Sequence, residues 1–328
     1  MRAGERQRRA TIVEVARAAE VSPATVSRVL TGTKPVSADL ERRVRAAVDR
    51  LGYRPNPAAQ GLLRGTTHTV GVIVPDLSNP YFAEVLKGVT DAAEKADFRT
   101  LVADTGEKPG SEYRTALELS RWSDGVVLCS PRMPDRELAE LVAAVPRLVC
   151  VNRLPGTAPA VVVDFQAGIQ VLCRHLRELG HRKVAYLRGP ARAWSERTRQ
   201  QALRAEAGPD FEVVQVPCGP SSLDGHRAVE RALESGATAV LAFSDYVALG
   251  ALSRLAELGV SVPQDVSLVG FDDIALSQVV SPRLTTVRVR QQALGRHAWA
   301  LLETSDDRVE RVTPRLVVRA STAEPRRP

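Results

Sequence analysis

From about residue 66 onward, short apolar runs rich in Val, Ile and Leu alternate with stretches of helical periodicity. This alternation constrains the fold more than any other feature. Repeated strand–helix–strand units are satisfied by parallel sheets covered on both faces by helices. Candidate strands are Val70–Val74, Arg99–Val102, Gly125–Leu128, Leu148–Val151, Val161–Val163, Lys183–Leu187, Val213–Val216, Ala239–Ala242 and Val266–Val269. Helical stretches between them include Tyr81–Ala93, Leu138–Ala144, Gln166–Leu179, Ser222–Leu233 and Val247–Leu258. These are too many strands for one sheet, so two doubly wound subdomains are expected. Such sheets bind ligands outside the carboxyl ends of their strands.

The first 64 residues are different in kind. They hold 13 Lys/Arg against 6 Asp/Glu, which accounts for the entire net charge of +7 and leaves the remainder of the chain neutral. Concentrated positive charge on a small segment is the footprint of a polyanion binder, although a solvated basic face has the same composition. Three short helices are legible. Thr11-Ile12-Val13-Glu14 reads as a capping box ahead of an apolar face. Ser22-Pro23 is an N-cap followed by proline at the first helical position. The second helix breaks at Thr31-Gly32. A third helix starts at Ser37, carries Leu40, Val44, Val48 and Leu51 at helical spacing, and stops at Gly52. Only about three residues separate the first two helices, the spacing of a helix-turn-helix. The second helix has Val26, Val29 and Leu30 on one side and Ala24, Thr25, Ser27 and Arg28 on the other. A recognition helix needs this division, one face packing and one reaching base edges and phosphates. The excess charge lies in the same segment, which favours DNA binding over an ordinary helical bundle.

Other chemistries lack their signatures. The four cysteines (Cys129, Cys150, Cys173, Cys218) form no CxxC pair, which argues against a disulfide framework or a zinc ribbon. The five histidines make no HExxH or other metal spacing, and no GxSxG, GxxxxGKS or GxGxxG motif occurs in context. His175 and His181, near a helix end, are expected to serve the last carbonyls. No apolar run approaches the roughly 20 residues of a bilayer span, and the basic N-terminus is not followed by an apolar signal core. A soluble, cytoplasmic protein without cofactor or metal is expected.

With these residues in view, the chain resembles the LacI/GalR-type bacterial transcription regulators. Residues 10–64, beginning ATIVEVARAAEVSPATVSRVLTGTKPVS, look like their headpiece and hinge. The match continues in GVIVPDLSNPYFAEVLKGV (71–89), HLRELGHRKVAYLRGP (175–190), DYVALGALSRLAELGVSVPQDVSLVGFDD (245–273) and SPRLTTVR (281–288). The resemblance implies an all-α helix-turn-helix headpiece and an α/β periplasmic-binding-protein-like body of two doubly wound parallel-sheet subdomains. It also implies a homodimer on a pseudo-palindromic double-stranded operator. Expected boundaries are a disordered basic N-terminus (1–9), the DNA-binding domain (10–54), a hinge (55–66) and an effector-binding and dimerisation domain (67–328). The last divides into an N-subdomain (about 67–163 and 290–317) and a C-subdomain (about 164–289 and 318–328). Crossings between the two are expected near Asp164, Val287–Arg290 and Val318.

The resemblance assigns roles residue by residue. Pro23, Ala24 and Arg28, with Thr25 beside them, occupy major-groove reading positions, and Ser22 and Ser27 contact phosphates. Thr11, Tyr53, Asn56, Ala59 and Leu62 complete the DNA-binding set. Leu62 wedges into the minor groove when two hinges fold as helices on DNA, so that unstacking is offset by contacts the bend allows. Gly61 disfavours that helix by roughly 1 kcal/mol against Ala. Glu20 stands where the family usually has Gly, at a cost if its φ is positive. The implied effector residues are Tyr81 and Phe82 as an apolar platform, Asn152, Arg153, Asp164, Arg197, Ser244, Asp245 and Asp272. Asp, Asn and Arg around aromatic rings suit the hydroxyls of a sugar. Asp245 reads equally well as a helix N-cap. Ser244, Gln200 and Phe165 depart from the family's common pattern. The C-terminal tail has no heptad repeat, so a tail-mediated tetramer is not expected.

Overall fold

The computed structural model describes residues 10–31, 35–54, 66–304 and 308–326. The chain divides into two compact units, Met1–Thr67 and His68–Pro328. In the first unit, α1 (Ile12–Ala18), α2 (Pro23–Thr31) and α3 (Ala38–Leu51) surround Val15, Ala16, Ala19, Val26, Val29, Val44 and Ala47, all buried. The cap signals act as their chemistry requires. Thr11 and Glu14 form the reciprocal capping box of α1. The Ser22 hydroxyl accepts from the Thr25 amide at 3.1 Å. Ser37 caps α3, and Gly52 ends it in the left-handed region at φ 59°. Glu20 has φ 57°, the strained backbone that glycine would relieve. Arg43 of α3 reaches the Ala19 carbonyl at 2.6 Å and the Glu20 carboxylate at 3.3 Å, tying α3 to the turn. Of the hinge positions, Asn56, Ala59, Gly61 and Leu62 lie outside the described residues, as does the basic N-terminus 1–9.

The second unit contains two parallel sheets. The six-stranded sheet has the order β11-β5-β4-β3-β1-β2, from β1 (Thr69–Val74), β2 (Arg99–Asp104), β3 (Gly125–Cys129), β4 (Leu148–Val151), β5 (Ala160–Val163) and β11 (Val309–Val312). The four-stranded sheet has the order β7-β6-β8-β9, from β6 (Lys183–Leu187), β7 (Glu212–Val216), β8 (Ala239–Ala242) and β9 (Ser267–Val269). Every pairing in both sheets is parallel. The first lobe carries α4 (Pro80–Lys95), α5 (Pro109–Ser120), α6 (Asp135–Ala144) and α11 (Gln291–Thr304). The second carries α7 (Phe165–Glu178), α8 (Trp194–Glu206), α9 (Ser222–Glu234) and α10 (Asp245–Glu257). The chain passes between lobes from β5 to α7, from β10 (Thr286–Arg288) to α11, and through β12 (Arg315–Val317). Strands β10 and β12 pair antiparallel at these passages.

Strands β10, β11 and β12 have no counterpart among the strands expected from sequence. They are three or four residues long and carry Arg or Glu, so the apolar-run signal is absent. The expected Val266 start moves to Ser267. His175 and His181 do not serve helix carbonyls. His175 Nε2 lies 3.1 Å from Thr322 Oγ1, while His181 lies 2.8 Å from Thr238 Oγ1 and 3.0 Å from the Ala323 carbonyl. Both imidazoles therefore pin the C-terminal segment to the second lobe, and burial pushes both below the usual histidine range. All four cysteines are free thiols.

Candidate nucleic-acid interface and ligand cleft

The outer face of α2 is small and cationic. Pro23, Ala24 and Arg28 are exposed, Thr25 and Ser27 half-buried, and Val26 and Val29 point into the core. Ala24 and Arg28 stand one turn apart on one face, the geometry a groove-reading helix requires. Ser22 is exposed, but its hydroxyl is engaged as the cap of α2 and with Thr25 Oγ1 at 2.9 Å. Thr11 is likewise a cap, and Tyr53 packs on the headpiece core.

In the body, a cavity forms where the carboxyl ends of both sheets converge. Asn79, Tyr81 and Phe82 follow β1, Asn152 follows β4, Ser195 and Arg199 follow β6, Phe243 and Ser244 follow β8, and Asp272 follows β9. Strand ends bring them together because a parallel sheet aims all its carboxyl ends one way. Tyr81 and Phe82 sit at the start of α4, whose first turn is set by the Asn79 cap and Pro80. Their rings are in edge contact at 5.2 Å. Asn152, at φ 55°, donates through Nδ2 to the Tyr81 hydroxyl at 2.6 Å. Burial, reinforced by the nearby Asp272 carboxylate, pushes the Tyr81 phenol up. Asp272 is held at φ 113° by backbone bonds to Val287 and Val289, and burial pushes its carboxyl up to about 7.

Arg199 dominates the opposite wall. Its guanidinium lies 4.1, 4.4 and 4.6 Å from the ring centroids of Phe271, Phe243 and Phe165, and Nη1 donates to the Phe243 carbonyl at 2.8 Å. Its Nε is buried and has no hydrogen-bond acceptor. The helix that carries it is anchored by Glu196, fully buried, which accepts from the Tyr186 hydroxyl and the Gly189 amide. The cavity leaves only about 30 Å³ of free space, room for about two waters.

Five of the nine expected effector residues line this cavity: Tyr81, Phe82, Asn152, Ser244 and Asp272. The other four are elsewhere. Asp164 caps α7, accepting from the Ala167 amide at 3.0 Å. Ser244, not Asp245, caps α10. Asp245 is fully buried and accepts from the Ile274 amide and the Thr286 hydroxyl, so it braces the loop behind Asp272. Arg153 is buried against Asp135, and Arg197 faces a different groove. Among the lining residues that sequence reasoning missed are Ser195 and Arg199 of α8. They stand one helical turn apart on one face of α8, but nothing in the sequence says which face of that helix meets the cleft.

Comparison with known proteins agrees with this architecture. The profile described as "Bacterial regulatory proteins, lacI family" matches residues 11–56, and that of a periplasmic binding protein-like domain matches residues 173–322. Catabolite control protein A of Priestia megaterium is 31% identical over 95% of this chain and 99% of its own. The lac repressor dimer, crystallised with operator and the anti-inducer ONPF, superposes with a TM-score of 0.82 at 25% identity, covering 96% of this chain and all of that one. A LacI-family regulator from Enterococcus faecium with bound ribose gives 0.69 at 27% identity, over 79% of this chain and all of its own. The relatives are regulators and not enzymes. A helix-turn-helix unit, a two-lobed body and likeness along nearly the whole chain lead to one conclusion: the protein belongs to the LacI family of bacterial DNA-binding transcription regulators.

Proposed function

We propose that the protein is a homodimeric repressor whose grip on a pseudo-palindromic operator is controlled by a small hydroxylated effector, a sugar, bound in the cleft. The observation that carries this reading is the cleft itself. Arg199 offers an unused buried donor, Asp272 offers an acceptor or, when protonated, a donor, and aromatic rings stand beside them. A hydroxyl both donates and accepts, so vicinal hydroxyls answer both groups at once. The effector set is therefore Tyr81, Phe82, Asn152, Ser195, Arg199, Ser244 and Asp272. The ribose complex of the Enterococcus faecium relative supports the chemical class. On the DNA side, Pro23, Ala24, Thr25 and Arg28 read the major groove, Ser22, Ser27, Thr11 and Tyr53 support the backbone contact, and Asn56, Ala59 and Leu62 act from the hinge.

Dimerisation is supported by apolar side chains left exposed on the body: Leu101 and Val102 on the edge strand β2, and Leu276 and Val279, the last 77% exposed. Water-exposed apolar surface of this kind is stabilised by a second copy. Because the cavity is lined from both lobes, occupancy changes their relative pose and thereby the pairing of the two hinges. The test is selection of a binding site from random duplexes, followed by titration with a sugar panel. A palindromic site whose affinity changes at least tenfold with one sugar is expected. No selected site, or a site indifferent to every sugar that binds, would overturn the reading.

A further inference from the structure

Helix α8 separates two cavities. Ser195 and Arg199 face the cleft, whereas Trp194, Arg197, Thr198 and Gln201 line a groove on the helix's other flank. That groove holds about 420 Å³. Its far wall belongs to the first lobe: Asp135 and Leu138 of α6, and the Leu154-Pro155-Gly156 turn after β4. Its lining is half apolar, from Leu138, Leu154, Pro155 and Trp194. One edge is cationic. Arg197 lies 4.0 Å from the Asp135 carboxylate, and Arg153 Nη2 donates to the same carboxylate. Two guanidiniums thus share a single anion, whose side chain is 81% exposed. Arg153 itself is only 1% exposed, and its Nε and Nη1 have no acceptor. A buried cation with unmet donors is rare in a native fold and needs an explanation.

We infer that this groove is a second ligand site, distinct from the cleft, that takes a small aromatic carboxylate. The ring lies against the indole and the leucine–proline wall. The carboxylate takes the place of Asp135 between Arg197 and Arg153, a charge-assisted arrangement in which Arg is the preferred partner. Asp135 is exposed and swings into solvent as the ligand enters. Since α8 carries the groove residues and Arg199 alike, occupancy of the groove biases the cleft, which makes the two sites reciprocally coupled.

Calorimetric titration of the full chain with 2-naphthoate tests the inference without DNA or sugar, so its failure leaves the regulator reading untouched. One saturable site per chain is expected. Arg197→Glu weakens it at least tenfold, Asp135→Asn tightens it severalfold by removing the built-in competitor, and uncharged 2-naphthamide binds at least tenfold more weakly. Asp272→Asn, in the cleft, leaves naphthoate affinity within twofold. Absence of saturable binding, equal affinity in Arg197→Glu, or a loss in Asp272→Asn as large as in Arg197→Glu each overturns the proposal.

Discussion

Arg197 and Arg199 are two residues apart and therefore about 200° apart around a helix with 3.6 residues per turn. The resemblance placed the effector arginine at the first, whereas the fold turns the second into the cleft. Composition is blind to this, because helix phase is set by what the helix packs against, here Glu196 on Tyr186 and Gly189. Replacing Arg199 by Met is expected to weaken effector binding by about 10- to 100-fold, the loss of a charged hydrogen bond of about 1.5–3 kcal/mol. The same change at Arg197 leaves effector affinity within twofold, and calorimetry with the effector from the panel separates the two. Asp272 yields a pH prediction. Its folded carboxyl titrates near 7 against an ordinary 3.8, so the protonated form is the one folding favours. That contribution is complete below 3.8 and is lost as pH rises through 7. Asp272→Asn, which stays neutral, is expected to raise Tm more at pH 8 than at pH 5, as scanning calorimetry at the two pH values reads directly.

At the scale of elements, most boundaries follow from local chemistry. Ser22-Pro23, Ser37 and Gly52 sit where capping requires them, and Leu148–Val151, Lys183–Leu187 and Ala239–Ala242 are strands with the bounds their apolar runs imply. Glu20, like Asn152 and Asp272, departs from local preference. Replacing it with Gly is expected to stabilise the headpiece by about 1 kcal/mol by relieving a left-handed backbone, seen as slower amide exchange in α1–α3 of the intact protein. In the first lobe, α4 and α11 cross at Gly88 and Gly295. A Cβ on Gly88 would stand 2.1 Å from the Gln292 carbonyl, and one on Gly295 the same distance from that of Val85. Backbone cannot yield as a side chain can, so Gly88→Val is expected to cost about 1–3 kcal/mol, measured as a lower urea midpoint. Neither glycine announces this in the sequence, where each is one more weak residue inside a helical pattern.

For the whole molecule, the charge partition makes the strongest statement. All of the net +7 lies within residues 1–64, so phosphate neutralisation belongs to the DNA-binding end and the body is electrically neutral. Operator affinity is expected to fall by about 10³ or more between 50 and 200 mM salt if some six phosphates are contacted per dimer. Sugar binding to the body should change less than twofold over the same range. Fluorescence anisotropy on a selected operator and calorimetry on the sugar supply the two slopes, and equal slopes would show that the charge serves no DNA contact.

The order of strands and helices, the helix caps, the basic head and the existence of two parallel sheets follow from sequence alone, because each depends on neighbours a few residues away or on summed charge. The identity of the cleft residues follows only in part: Tyr81, Phe82, Asn152, Ser244 and Asp272 were expected and line the cavity, whereas the rest were not placed correctly. Asp164 and Asp245 became a cap and a buried brace, Arg153 and Arg197 turned to a groove, and Arg199 entered the cavity. The Asp164 cap is local, but the others depend on which face of an element meets residues distant in sequence, such as Phe243 for Arg199 and Thr286 for Asp245, and only packing in three dimensions decides that.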